Sequence, residues 1–201
     1  ELENYKHKKI VILDQNDIET INVIKKFHDV EILYQKKRGY GNALIEGINH
    51  TNTEYFSIIN ADGSMNPSEL SNMLDKAIQN NFDIVFGSRY MGKASSEDDD
   101  FITTIGNFIF SLLGKIFFRL KITDILYSYV LGKTKKVKDL KLKSQDFKFC
   151  VELPIKAHRN NLRYTSYPCN ERKRIAGKKK VNPFLDGLWI LLGMISLFFN
   201  R

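Results

Sequence analysis

Apolar runs and amphipathic stretches alternate along the first half of the chain, each run closing on polar or glycine-containing residues. Lys9–Leu13 (KIVIL) is continuously apolar and stops at Asp14, the pattern of a buried strand followed by a polar turn over 14–17. Residues 18–27 carry apolar side chains at 18, 21, 23, 24 and 27, a helical spacing. Val30–Tyr34 (VEILY) is the next strand, 36–41 (KKRGYG) a basic loop with glycines, and 42–49 a helix. A strand follows over 54–60, then a helix over 67–80 with proline in its first turn, where the missing N–H is harmless. Residues 82–86 (FDIVF) form another strand that closes on Gly87, Ser88, Arg89 and Tyr90. Alternating strands and helices predict an α/β fold with a mostly parallel sheet flanked by helices.

Beyond residue 90 the pattern loosens. Residues 92–100 (GKASSEDDD) read as a polar, acidic loop, expected to be mobile. Two helical stretches around 101–121 come next, then 122–129, a further αβ unit over 146–168, a basic loop over 171–180 and a last helix. Residues 108–118 and Leu185–Phe199 are apolar and aromatic with basic residues nearby. Each is open to two readings, a buried helix or a helix lying in a membrane interface. No uninterrupted apolar run reaches the ~18 residues that mark a membrane span.

At 201 residues the chain is long enough for one core, and its 43% hydrophobic content is that of a folded globular protein. The charge is unevenly placed. Residues 101–201 hold 20 Lys and Arg against 6 Asp and Glu, whereas residues 1–100 hold 11 against 17. The second half therefore suits an anionic partner: a phosphate-rich ligand, a membrane surface or nucleic acid. A nucleic-acid partner has only the charge in its favour, without a helix-turn-helix, zinc-finger or aromatic RNA-binding signature. Cys150 and Cys169 lie outside metal-ligand spacing and read as reduced thiols.

The chemistry concentrates where the strand over 54–60 meets Asn60–Ala61–Asp62–Gly63–Ser64. Asp62 then lies at the carboxyl end of a parallel strand, where open α/β sheets bind ligands. Such a carboxylate is either a turn residue or a ligand for a divalent cation.

Five blocks in order resemble family 2 glycosyltransferases, in particular the dolichol-phosphate-mannose-synthase-like branch. They are 11–20 (VILDQNDIET), 38–44 (RGYGNAL), 60–64 (NADGS), 87–90 (GSRY), and Thr123–Asp124 with Tyr127–Ser128–Tyr129. Two later segments, 152–157 (ELPIKA) and 171–177 (ERKRIAG), resemble the family's late helix and its Arg–Gly loop. The resemblance covers residues 9 to about 187 and implies a GT-A type, Rossmann-like fold. It also implies an inverting hexosyltransferase, dependent on a nucleoside-diphosphate sugar and on Mg²⁺ or Mn²⁺. In that frame Asp14 and Arg38 face the nucleotide, Asn60 and Asp62 stand at the metal motif, and Asp62 with Ser64 ligates the metal. Arg174 and Lys178 close on the diphosphate. Arg89 holds an acceptor phosphate and Asp124 is a base or acceptor orienter, the alternatives being a surface salt bridge for Arg89 and a turn cap for Asp124.

This sequence departs from the family in three places: Asn60 replaces the first metal-motif Asp, Tyr40 stands where a basic residue is common, and Ser128 replaces a glycine. The opening strand and its Pro-x-Tyr-Asn-Glu signature are not found before Lys9, which implies an N-terminally truncated catalytic domain over 1–183. Residues 184–201 form an amphipathic, membrane-facing helix in this reading. The favoured acceptor is a polyprenyl phosphate at the cytoplasmic face of a membrane. The alternatives are a saccharide acceptor and a non-catalytic nucleotide-sugar-binding relative.

Overall fold

The computed structural model describes residues 1–177 and 182–200. After a 3-10 turn at Leu2–Asn4 come β1 (Lys9–Leu13), α1 (Ile18–Ile24), β2 (Val30–Tyr34), α2 (Tyr40–His50), β3 (Tyr55–Ile58), α3 (Glu69–Gln79) and β4 (Ile84–Ser88). Then follow α4 (Phe101–Phe118), β5 (Val130–Lys133), α5 (Thr134–Asp139), α6 (Phe149–Arg159), β6 (Tyr164–Pro168) and α7 (Leu185–Phe199). β1 and β2 pair in parallel, and the other four strands form a sheet in the order β3-β5-β4-β6. β4 and β6 are parallel, while β5 runs antiparallel to both β3 and β4 and separates them. The α/β expectation therefore holds, with β5 as the reversed strand.

Hydrogen bonding explains where element boundaries differ from the sequence reading. α1 ends at Ile24, short of Phe27, because the N–H groups of Lys26 and Phe27 turn to Val23 and Ile24 in tighter i to i+3 bonds. The stretch 101–121 is one helix, not two. Asp100 caps it by accepting from the Thr103 N–H at 2.8 Å, and Arg119 ends it in the left-handed region at φ +56. Thr103, Thr104, Asn107 and Ser111 interrupt its apolar run, yet α4 is long and apolar enough by length and composition to cross a membrane. That corrects the reading that no segment is.

The core lies on both faces of the four-stranded sheet. Ile84 and Phe86 of β4 pack on one face with Phe56, Val130, Val151 and Ile155, while Val85 packs on the other with Met73 and Ala77 of α3. A strand covered on both faces explains the unbroken apolar run of β4. Ile190 and Met194 of α7 belong to the first cluster, so α7 shares the core of the residues before it. The outer sides of α4 and α7 are bare: Phe101, Phe108 and Ile116 on one helix and Leu185, Trp189 and Phe199 on the other are exposed.

Candidate active site

The carboxyl ends of β3, β4 and β6 and the start of β5 share one sheet edge, because Ile58 and Phe86 both face Val130 and Ser88 faces Pro168. That edge gathers the loops that carry Asp62, Arg89, Asp124 and Arg174. Asp62 follows β3 in a turn completed by Gly63 at φ +81. The positive φ favours glycine there, and a Cβ would also meet the exposed Ile175 side chain, with Cδ1 at 2.6 Å. The Ile175 N–H donates to Asp62 O and the Arg172 N–H to Ser64 O, each at 2.8 Å, which lays residues 171–175 over the loop.

The two oxygens of Asp62 differ. Oδ1 accepts from Ser64 N–H at 3.0 Å and Ser64 Oγ at 2.8 Å, while Oδ2 faces Arg174 Nη1 at 3.7 Å. Ser64 is 1% exposed, and its hydroxyl is spent on Asp62. In this arrangement it orients the Asp62 carboxylate. The Asn60 N–H donates to Met65 Sδ at 3.2 Å, which sets the entry to the turn. Arg174 stands beside Asp62, its other edge held by Asp98 of the loop over 92–100. Lys178 lies outside the described residues.

Arg89 and Asp124 are together but closed off. Asp124 is 1% exposed and accepts from Arg89 through the backbone N–H at 3.2 Å, Nε at 2.7 Å and Nη2 at 3.0 Å. Arg89 Nη1 donates to Asp99 at 2.9 Å and to Glu171 at 3.2 Å, and the guanidinium stacks 4.5 Å from the Tyr127 ring centroid. Burial works against the Arg89 charge, but these three carboxylates hold its pKa well above the ordinary range. Burial pushes the Glu171 carboxyl up, opposed by Arg89 and by Ser96, whose hydroxyl donates to it at 2.6 Å. Neither Arg89 nor Asp124 has an open face toward a ligand. Phosphate capture by Arg89 and base action by Asp124 are thus replaced by a buried ionic cluster that fixes the loops around it. Arg89 does form ion pairs, but they lie in the interior and not at the surface where the alternative reading placed them.

The loop over 92–100 is pinned rather than mobile. Ser95 O accepts from Glu171 N–H and the Glu97 N–H donates to Glu171 O, each at 2.9 Å. Asp99 accepts from the Tyr90 hydroxyl at 2.7 Å and from Asn107 of α4 at 3.0 Å. The three consecutive aspartates are the signal that sequence reasoning had and did not use.

At the end of β1, Asp14 Oδ2 accepts from Arg38 Nε at 2.9 Å and Oδ1 accepts from the Asn16 N–H, whose bond is the main cause that lowers the Asp14 pKa. These two predicted nucleotide-facing residues are therefore neighbours. The following glycines are dictated by close approach: a Cβ on Gly39 would lie 2.3 Å from Gln145 O and one on Gly41 2.1 Å from Ser144 O. Between them, Tyr40 stacks on Phe147 with centroids 4.8 Å apart and donates to Ser128 Oγ at 2.6 Å. Two of the three departures from the family pattern, Tyr40 and Ser128, thus contact each other. Cys150 and Cys169 are free, and burial pushes both thiols up to about 12, so neither is a nucleophile at neutral pH.

Among the described residues no three His, Cys, Asp or Glu side chains gather as a metal cluster. The open Asp62 Oδ2 fits a hard cation that takes its remaining ligands from phosphate oxygens and water. Asp62 and Arg174 thus face each other at the carboxyl ends of an α/β sheet, the edge where such sheets take their ligands.

The sequence model of glycosyl transferase family 2 matches residues 1–141, and the chain belongs to that family. An uncharacterized glycosyltransferase of Mycobacterium bovis is 22% identical over 179 residues, covering 89% of this chain and 80% of its own. An uncharacterized glycosyltransferase of Mycobacterium tuberculosis matches with the same figures. Glucosyl-3-phosphoglycerate synthase from Mycobacterium tuberculosis in complex with UDP superposes with a TM-score of 0.65 at 11% identity, over 94% of this chain and 67% of that one. Its complex with Mn²⁺, UDP and glucosyl-3-phosphoglycerate gives 0.65 at 12% identity over the same shares. At such identities the likeness shows the fold alone. The chain is a glycosyltransferase that uses a nucleotide sugar.

Proposed function

We propose that the enzyme transfers a hexose, with inversion, from a nucleoside-diphosphate sugar to a polyprenyl phosphate at the cytoplasmic face of a membrane, as in the dolichol-phosphate-mannose-synthase-like branch. The observation that carries this reading is the paired apolar surface of α4 and α7. The exposed Phe108, Ile116, Leu188 and Trp189 are bordered by Lys115, Arg119 and Lys121 at the end of α4 and by Lys148, whose Nζ lies 5.8 Å from the Trp189 ring centroid. Apolar side chains with a basic rim suit an anionic bilayer. Through Asn107, α4 is also bonded to Asp99 and Tyr90, which ties the lipid-facing helix to the Arg89 cluster.

In the reaction the bond from the anomeric carbon to the diphosphate breaks and the nucleoside diphosphate leaves with the electron pair. An acceptor phosphate oxygen forms the new bond. A phosphate is already ionised near neutral pH, so no side chain need take its proton. That fits a buried Asp124. Asp62 Oδ2 would hold Mg²⁺ or Mn²⁺, which supplies charge neutralisation of the leaving diphosphate when bound. Arg174 Nη1, beside Asp62, adds a donor for the same phosphates. Several of the solved neighbour structures carry Mn²⁺ or Mg²⁺ with UDP, and two carry phosphoglyceric acid.

The test is transfer of labelled sugar from UDP- or GDP-hexose to undecaprenyl phosphate in anionic vesicles, compared with 3-phosphoglycerate and with a free saccharide. Label in the lipid phase, lost in Asp62→Ala, supports the proposal. Label only on a soluble acceptor refutes the lipid assignment. Nucleotide binding without transfer to any acceptor favours the non-catalytic relative.

A further inference from the structure

We infer that Asp98 is a positioning residue for the donor diphosphate, acting through Arg174. The inference rests on the nucleotide-sugar reading of the Asp62 site. A guanidinium offers a fixed fork of donors. Here the Nε–Nη2 edge of Arg174 is taken by one carboxylate, with Nε to Asp98 Oδ1 at 3.1 Å and Nη2 to Asp98 Oδ2 at 2.7 Å. This leaves Nη1, which stands 3.7 Å from Asp62 Oδ2, beyond hydrogen-bond reach. Asp62 Oδ1 is occupied by Ser64, so Nη1 and the second carboxylate oxygen face each other as an ion pair too long to be a hydrogen bond. A phosphate oxygen and its cation supply what both lack: an acceptor for Nη1 and a positive charge for Oδ2.

Asp98 is itself held from behind. Its N–H donates to Ser96 Oγ at 3.2 Å, and that hydroxyl donates to Glu171 Oε2 at 2.6 Å. Glu171 also receives Arg89 Nη1, so the buried ionic cluster reaches the diphosphate site through Ser96, Asp98 and Arg174 in turn. With side chains 24% and 10% exposed, Arg174 and Asp98 are shielded enough for the orientation to persist, yet Arg174 remains open to a ligand. The loop that reads in sequence as an acidic linker thus sets the direction of the arginine.

Two roles for Asp98 give opposite signs. A positioning residue strengthens diphosphate binding, whereas a carboxylate that merely parks Arg174 competes with the phosphates and weakens it. Isothermal titration of the full chain with UDP, GDP and their monophosphates, in Mn²⁺ and in EDTA, separates them. Asp98→Asn is expected to weaken the bound diphosphate about tenfold, the weight of one charge-assisted hydrogen bond. The monophosphate should change less than about twofold, within the ordinary scatter of surface substitutions. The ratio should persist in EDTA, Asp98→Glu should restore part of the affinity, and Asp98→Asn should add nothing to Arg174→Ala. Equal or tighter diphosphate binding by Asp98→Asn overturns the inference, as does an equal loss for mono- and diphosphate. If the unaltered chain binds neither nucleotide, the donor site itself fails and the inference falls with it.

Discussion

Asp124→Asn removes one charge from the buried cluster at nearly constant shape, and its cost can be worked from the geometry. The carboxylate accepts three hydrogen bonds from Arg89, at 3.2, 2.7 and 3.0 Å. An amide keeps one acceptor and must turn its NH₂ toward a guanidinium that has only donors. Removing one partner of a buried ion pair costs about 3–5 kcal/mol. Arg89 retains Asp99 and Glu171, so the low end applies, about 3 kcal/mol. For a chain of this length that lowers the melting temperature by about 6–12 °C. Circular dichroism melts and urea unfolding at pH 7 measure the loss, alongside nucleotide titration and initial rates at saturating donor. Nucleotide affinity should stay within about twofold, because Asp124 bonds to Arg89 and not to Asp62 or Arg174. The reasoning is refuted if the variant melts within about 2 °C of the parent while kcat falls about 10²-fold or more, the scale of a lost general base. Asp124 would then regain the catalytic role its sequence block suggested.

Gly41→Ala places a Cβ 2.1 Å from Ser144 O and 2.8 Å from Asp146 O, both backbone atoms, and should cost about 3 kcal/mol in urea unfolding. Two glutamates should show opposite pH dependence. Burial raises the Glu171 carboxyl above 4.5, so its stabilising contribution is complete below that pH and is lost as pH rises through its folded pKa; Glu171→Gln should flatten this fall. For Glu152, burial raises the pKa but is outweighed by Lys156 and the N–H groups of Ser144 and Lys143, so the net shift is downward. Its stabilisation is present above 4.5 and lost as pH falls through the folded value, so Glu152→Gln should melt lower at pH 7 and converge with the parent in acid. Phe108→Glu combined with Trp189→Glu should reduce flotation with phosphatidylserine vesicles by about 10²-fold, given ~1.5–3 kcal/mol for each large apolar side chain; nucleotide binding should be unchanged.

The regular part of this molecule was legible because its signals are local. β1 and β2 match their apolar runs, β4 lies two residues later than its run, and Asp62 follows a strand as its neighbours imply. β5 was not legible. Val130–Lys133 is four residues long, contains Gly132, and pairs with residues 48 and 74 positions earlier in its registers Ile84↔Gly132 and Ser57↔Leu131. The fates of Arg89 and Asp124 were hidden for a similar reason. Each motif marks a strand end, but whether the side chains face a ligand or each other depends on Asp99 and Glu171, brought in from other loops. Asp98 was visible as a charge and unreadable as a partner, because Arg174 lies on a segment joined to it only through the folded sheet edge.

The placement of β5 also sets an order on synthesis. β3 and β4 leave the ribosome in sequence, yet they are not neighbours in the finished sheet, where a strand made more than forty residues after β4 must lie between them. Until Lys133 has emerged, they can adopt native positions only with a vacant lane of about 10 Å, two strand spacings, between their backbones. Such a lane presents two unpaired edges, open to any extended chain nearby. The lane closes only when residues 130–133 have been made, and the outer edge of β4 waits longer still, for β6 at Tyr164–Pro168.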